Sequence, residues 1–187
     1  MLELEKIKNA LSSSISAQVQ GKQNTKLAAV LIVIHGQEPS VIMTERPKTM
    51  DYHAGEISFP GGRWEPDDAD LLATAIRETR EEIGVEIHNN QVIGQLKPVT
   101  TLNSGFTIAP FITILEKIPL IRTTTEIESI LQIHLIPLLK TMDKDKDPAH
   151  KSIQEMYTFK FQNHLIWGAS ARMLNQIANS LSTNGLL

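Results

Sequence analysis

The chain predicts an α/β fold, a mixed sheet with helices packed against it, and three stretches of sequence carry that reading. Residues 27–34 are an unbroken apolar run rich in Val and Ile, the pattern of a strand buried on both faces. Residues 92–101 and 107–115 read as a strand pair around Asn103-Ser104-Gly105. Between them, residues 69–83 are rich in the helix formers Glu and Arg, and Gly84 follows where a helix C-terminus takes glycine. Periodicity supports this mixed class and nothing finer.

The remaining elements follow in order. Residues 2–19 alternate apolar and polar positions at helical spacing, weakened by Ser12, Ser13, Ser14 and Ser16. Residues 1–26 thus form a helical N-terminal extension of one domain spanning 1–187. Residues 36–39 turn the first strand and residues 41–44 return as its hairpin partner. Residues 56–59 make a short strand that runs into a Pro60-Gly61-Gly62 turn, and Asp68 or Asp70 caps the helix that follows. Residues 127–139 fit a helix and a strand equally, and residues 143–148 form a charged, mobile loop. A last hairpin, 157–161 with 164–167, turns at Gln162-Asn163, and an amphipathic helix over 171–181 closes the chain.

Composition narrows the function classes. The chain has 187 residues, enough to bury a real core in one domain. A 41% apolar and 21% charged makeup is ordinary for a globular protein. The net charge of −3 gives no footing for nonspecific nucleic-acid binding. Zero cysteines exclude disulfides, thiolate metal sites and a cysteine nucleophile. No apolar run reaches the roughly 18 residues a membrane span needs. Glu3 and Glu5 stand where a secretion signal would be apolar or basic. A cytoplasmic protein is expected, with a homodimer left open.

Chemistry concentrates in residues 53–85. Glu78, Glu81 and Glu82 stand at i, i+3 and i+4, which stacks three carboxylates on one helical face. Such a run is commonly a solvated face, and Arg77 with Glu81 makes an i,i+4 pair unaided. The neighbouring Phe59-Pro60-Gly61-Gly62, however, brings bare backbone up to that face. Oxygen ligands beside bare backbone suit a hard cation, Mg2+ or Mn2+, whose usual partners are phosphates.

Gly62, Arg77-Glu78 and Glu81-Glu82-x-Gly84-Val85 resemble the Nudix box, G-x5-E-x7-R-E-U-x-E-E-x-G-U, with U a bulky apolar residue. The family hydrolyses nucleoside diphosphates linked to another group. Thr79 stands at an apolar position of the box, and fourteen residues rather than thirteen separate Gly62 from Arg77. Counted from Gly62 the early acid falls on Asp68; counted back from Arg77 it falls on Ala69. The coenzyme A pyrophosphatase branch of the family has a similarly lengthened box and an upstream signature, roughly L-L-T-x-R-S-x3-R-x3-G-x3-F-P-G-G. Here Ile42-Met43-Thr44-Glu45-Arg46-Pro47 leads to Gly55 and Phe59-Pro60-Gly61-Gly62 at that spacing, with Pro47 and Asp51 as departures. Asp51 puts an acid where the branch has a base. Ser104-Gly105-Phe106 and Ile166-Trp167-Gly168-Ala169 also look like that branch.

The resemblance implies an α/β/α sandwich with a central mixed sheet and a catalytic helix. It implies a Mg2+- or Mn2+-dependent phosphoanhydride hydrolase, with coenzyme A (CoA) or acyl-CoA as the favoured small-molecule partner. The metal ligands would be Glu78 and Glu82, with Glu81 a third ligand or the proton acceptor, and Arg77 orienting them. Arg46, His53, Gly61 and Gly62 are the expected substrate contacts. Thr101 and Ser104 border the pocket or simply shape a turn; Glu126 or Glu128 is a further acid candidate; Trp167 is assigned to the core. The alternatives are a Nudix enzyme for ADP-ribose, dinucleotides or nucleoside triphosphates, and a noncatalytic nucleotide-binding module. Thioester chemistry is not expected, since the chain has neither cysteine nor a Gly-x-Ser-x-Gly elbow.

Overall fold

The fold comes from a computed structural model, which describes residues 2–18, 26–47, 55–101, 104–117, 119–122, 127–146 and 156–187. The apolar run becomes β1 (Lys26–His35), and its alternating side chains enter two different cores. Val30, Ile32 and Ile34 pack with one hydrophobic cluster, while Ala29, Leu31 and Val33 pack with the other. Burial on both faces explains why the run shows no polar alternation.

The hairpin forms as read: β2 (Ser40–Glu45) returns antiparallel, with Ile34 opposite Val41 and His35 opposite Ser40. Beyond that point the sheet splits. β2 pairs with β3 (Ile57–Ser58) and with β8 (Ser129–His134), while β1 pairs with β4 (Gly61–Arg63). The chain therefore crosses the split at Phe59-Pro60. On its other side β1 runs parallel to β7 (Phe106–Leu115) over the full strand, from Lys26 beside Phe106 to His35 beside Leu115. β5 (Val92–Gln95) and β6 (Val99–Thr100) both pair antiparallel with β7.

Helices cover both faces. α2 (Leu71–Ile83) buries Leu71, Leu72, Ala75 and Ile83 with Leu31, Val33 and Phe111. On the opposite face α1 (Leu2–Leu11) and α4 (Gly168–Thr183) bury Leu4, Ile7, Leu174, Ile177 and Leu181 against Ile32 and Ile34. Each fully buried aliphatic side chain contributes roughly 1.5–3 kcal/mol. This is the α/β/α sandwich with a central mixed sheet. A short helix α3 (Leu135–Leu139), β9 (Asp143–Lys144), β10 (Tyr157–Phe161) and β11 (His164–Ile166) complete the described elements.

Several boundaries differ from the sequence reading. The N-terminal helix stops at Leu11 instead of running to 19, because Ser13 bonds the edge strand: its backbone N–H donates to Ile93 O and its Oγ to Gln95 O. The strand over 92–101 is two strands, interrupted around Pro98, which has no N–H to give a ladder. Residues 127–139 contain both of the alternatives, β8 followed by α3. The stretch read as a Gly-Gly turn is itself strand β4, and the start of the charged loop is strand β9. Residues 147 and 148 of that loop lie outside the described residues.

Candidate active site

α2 begins at Leu71 because the Asp70 carboxylate accepts from Ala73 N–H at 2.8 Å, and it ends where Gly84 takes φ 70°. Asp70, then, is the cap; Asp68 does something else. It is 9% exposed and accepts Arg77 Nε on Oδ1 at 2.8 Å and Arg77 Nη2 on Oδ2 at 2.9 Å. Its Oδ2 also takes Glu65 N–H and the Thr74 hydroxyl. These contacts, led by the Arg77 guanidinium, hold the Asp68 carboxyl down at about 2 and raise the Arg77 pKa.

The other edge of the same guanidinium faces the glutamates. Arg77 Nη1 donates to Glu78 Oε1 and to Glu81 Oε2, each at 3.0 Å. Glu82 turns to the glycine strand, where its Oε2 accepts Gly61 N–H at 3.1 Å. Glu78 leans on Gly62 so closely that a Cβ there would collide with its carboxylate. Burial raises the Glu78 pKa against the pull of Arg77. Among the described residues no three acidic or histidine side chains already converge on one point. Yet the donor set fits a hard cation: Glu78 and Glu82 both face the Gly61–Gly62 backbone, with all-oxygen donors. Thr79, the departure inside the box, is fully buried, and its hydroxyl is satisfied by Ala75 O at 2.7 Å.

β4 separates these carboxylates from a cavity of about 330 Å³ in the split of the sheet. Arg46 and Ser58 line it from one arm, Gly61, Gly62, Arg63 and Phe106 from the other, and Trp167, Ser170, Arg172 and Met173 from the start of α4. Gly61 sits at φ 151°, and a Cβ there would strike the Ala29 carbonyl and Val30. The divider is therefore bare backbone, with carboxylates on one side and a ligand-sized space on the other.

Of the expected contacts, Arg46, Gly61 and Gly62 line this cavity, as do Thr101 and Ser104. Thr101 and Ser104 also bond each other at 2.7 Å, so both roles read for them are present. His53, Asp51 and Glu126 lie outside the described residues. Glu128 is exposed and does not line the cavity. Trp167 is a correction: it lines the cavity, half-buried, instead of filling the core. Sequence reasoning missed Arg63 and Arg172, the latter held by Thr100 O at 2.9 Å. The signal for Arg63 was its place next to Gly62; Arg172 carried none. Among the described residues no helix is long and apolar enough to cross a membrane.

A profile of the NUDIX domain matches residues 25–155. The chain is 32% identical over 164 residues to the uncharacterized Nudix hydrolase NudL of Photorhabdus laumondii, covering 84% of this chain and 86% of that one. It is 28% identical over 162 residues to the NudL of Yersinia pestis, covering 85% and 81%. Among solved structures, a MutT/nudix family protein from Enterococcus faecalis superposes with a TM-score of 0.62 at 10% identity, covering 89% of this chain and 65% of that one. A NUDIX hydrolase from Alicyclobacillus acidocaldarius gives 0.55 at 18% identity, covering 83% and 92%. These structural likenesses speak for the fold. With the domain profile spanning well over half of its length, this chain belongs to the Nudix family.

Proposed function

We propose that this Nudix hydrolase cleaves the phosphoanhydride bond of CoA or acyl-CoA, releasing 3',5'-ADP and (acyl-)4'-phosphopantetheine. The observation that supports this substrate is the meeting of the upstream signature with the box. Arg46 lines one cavity with Phe59, Gly61 and Gly62 of the signature, and the two glycines lie directly against Glu82 and Glu78. Glu78, Glu82 and the Gly62 carbonyl would hold a Mg2+ or Mn2+ ion, which would lower the pKa of water and neutralise charge on phosphate oxygens. Glu81 is the third ligand or the group that takes the proton from the attacking water. Arg77, tied to Asp68, positions Glu78 and Glu81. Arg46 supplies a planar fork for the diphosphate. Water adds to one phosphorus, the bridging oxygen leaves with the other, and a thioester elsewhere in the substrate stays whole. Asp51 favours a second reading, a Nudix enzyme for ADP-ribose or dinucleotides, because it places an acid where the CoA branch has a base.

A substrate panel with and without Mg2+ or Mn2+ tests this: CoA, an acyl-CoA, ADP-ribose, NADH, diadenosine polyphosphates and dNTPs. CoA or the acyl-CoA should show the highest kcat/KM, and mass spectrometry should find 3',5'-ADP. A preference for ADP-ribose or NADH of about tenfold, roughly 1.4 kcal/mol, rejects the CoA assignment. In the same panel Glu82→Gln should lose most turnover at an unchanged melting temperature; near wild-type activity removes Glu82 from the ligand set.

A further inference from the structure

β4 alternates like any strand. The missing side chain of Gly62 would point at Glu78, so the next residue, Arg63, projects from the opposite face and lines the cavity. Arg63 pairs with Ala28 across β1, and Lys26, two residues earlier on β1, pairs with Phe106 on β7. Both cations converge on that one ring: Arg63 Cζ lies 5.1 Å and Lys26 Nζ 5.5 Å from the Phe106 centroid. Lys26 Nζ also donates at 3.3 Å to the carbonyl of Ser104, a residue that lines the cavity. Among the described residues neither Lys26 nor Arg63 forms an ion pair with a carboxylate. Two like charges gathered at one ring repel each other, and an anion that reaches both turns that repulsion into binding. A phosphomonoester fits. It carries about −1.5 to −2 at neutral pH, against one charge on each phosphate of a disubstituted pyrophosphate, and Arg meets it with two parallel donors.

We propose that Lys26 and Arg63, propped on Phe106, bind the 3'-phosphate of the substrate's adenosine, and that this contact selects CoA over diphosphates lacking a phosphomonoester. The inference rests on the CoA reading above. It places the 3'-phosphate on the cavity face of β4, across the strand from the carboxylates that serve the pyrophosphate.

The experiment compares kcat/KM for CoA and for dephospho-CoA in wild type, Arg63→Gln and Lys26→Gln, with melting temperatures as the folding check. Charge-assisted hydrogen bonds to the extra phosphate should make the wild-type ratio roughly 10 to 100. Both variants should bring that ratio toward one. A ratio unchanged in both variants overturns the proposal. A wild-type ratio near one, with both compounds cleaved, overturns the subsite and leaves the CoA reading standing. Cleavage of ADP-ribose with neither CoA nor dephospho-CoA turned over removes the CoA reading and the subsite together.

Discussion

Asp68→Asn removes one charge at constant size and tests whether Asp68 anchors Arg77, the arginine that contacts Glu78 and Glu81. The carboxylate makes two parallel bonds with Arg77, at 2.8 and 2.9 Å, and side-chain exposure is 6% for Asp68 and 22% for Arg77. So sheltered a pair is poorly screened, and half of it cannot be removed cheaply. The Asp68 carboxyl is held at about 2 against an ordinary 3.8. That difference corresponds to about 2 kcal/mol of folding stability. Because the folded-state value is depressed, the contribution is present in full above pH 3.8 and is lost as pH falls toward 2. Urea denaturation followed by tryptophan fluorescence is a suitable assay, since Trp64 Nε1 donates to Asp68 O at 3.3 Å. The variant should be about 2 kcal/mol less stable at pH 7, with roughly half of that difference left at pH 3. Turnover should also drop about tenfold, because Arg77 then holds Glu78 and Glu81 less firmly. A gap below about 0.5 kcal/mol at pH 7, the size of a neutral surface change, refutes the reasoning. So does a gap that persists undiminished at pH 3.

Gly62→Ala should leave the melting temperature nearly unchanged, because the atoms its Cβ meets are the far end of Glu78, yet cut kcat about 10- to 100-fold as that carboxylate is pushed aside. Gly61→Ala is the contrasting control, since backbone blocks it and φ is 151°; a loss of about 2 kcal/mol or more is expected, and equal melting of the two variants would contradict the geometry. His35 is 2% exposed with neither ring nitrogen bonded among the described residues, and burial lowers its pKa from 6.5. Below pH 6.5 the unfolded chain takes the proton first, so stability should fall as pH drops from 6.5. His35→Leu should flatten that slope and add about 1 kcal/mol at pH 7; an unchanged slope in urea titrations from pH 7 to pH 5 assigns the dependence elsewhere.

The parts legible in the sequence are those whose cause is local. β1 announced itself because a short uninterrupted run rich in β-branched Val and Ile favours a strand buried on both faces. α2 was bounded by its own cap residues, Asp70 and Gly84, and its three glutamates by i, i+3 and i+4 spacing. What escaped is held by distant partners. β4 is a strand through its backbone pairing with Ala28, Ala29 and Val30, and glycines give no side-chain sign of that. The N-terminal helix ends early because Ser13 meets Gln95, 82 residues away. Arg63 and Arg172 are 109 positions apart in number yet line one cavity, which only the split sheet and α4 bring about.

The lengthened box has a physical resolution in the loop before α2. Asp68 N–H donates to Glu65 O at 2.9 Å and Glu65 N–H to Asp68 Oδ2 at 3.1 Å, closing a small turn that absorbs the additional residue. The turn buries Asp68 and leaves Ala69 exposed, so of the two registers it is the count from Gly62 that delivers an acid inward. That acid pairs with Arg77 instead of joining the glutamates, and its charge offsets the arginine's from behind. Arg77 can then contact Glu78 and Glu81 together while Glu82 keeps its separate bond to Gly61. Three like charges at helical spacing would otherwise repel one another by a few tenths of a kcal/mol per pair. One arginine and one glycine N–H hold them apart, and the same two groups aim Glu78 and Glu82 at the bare backbone of β4, beyond which the cavity begins.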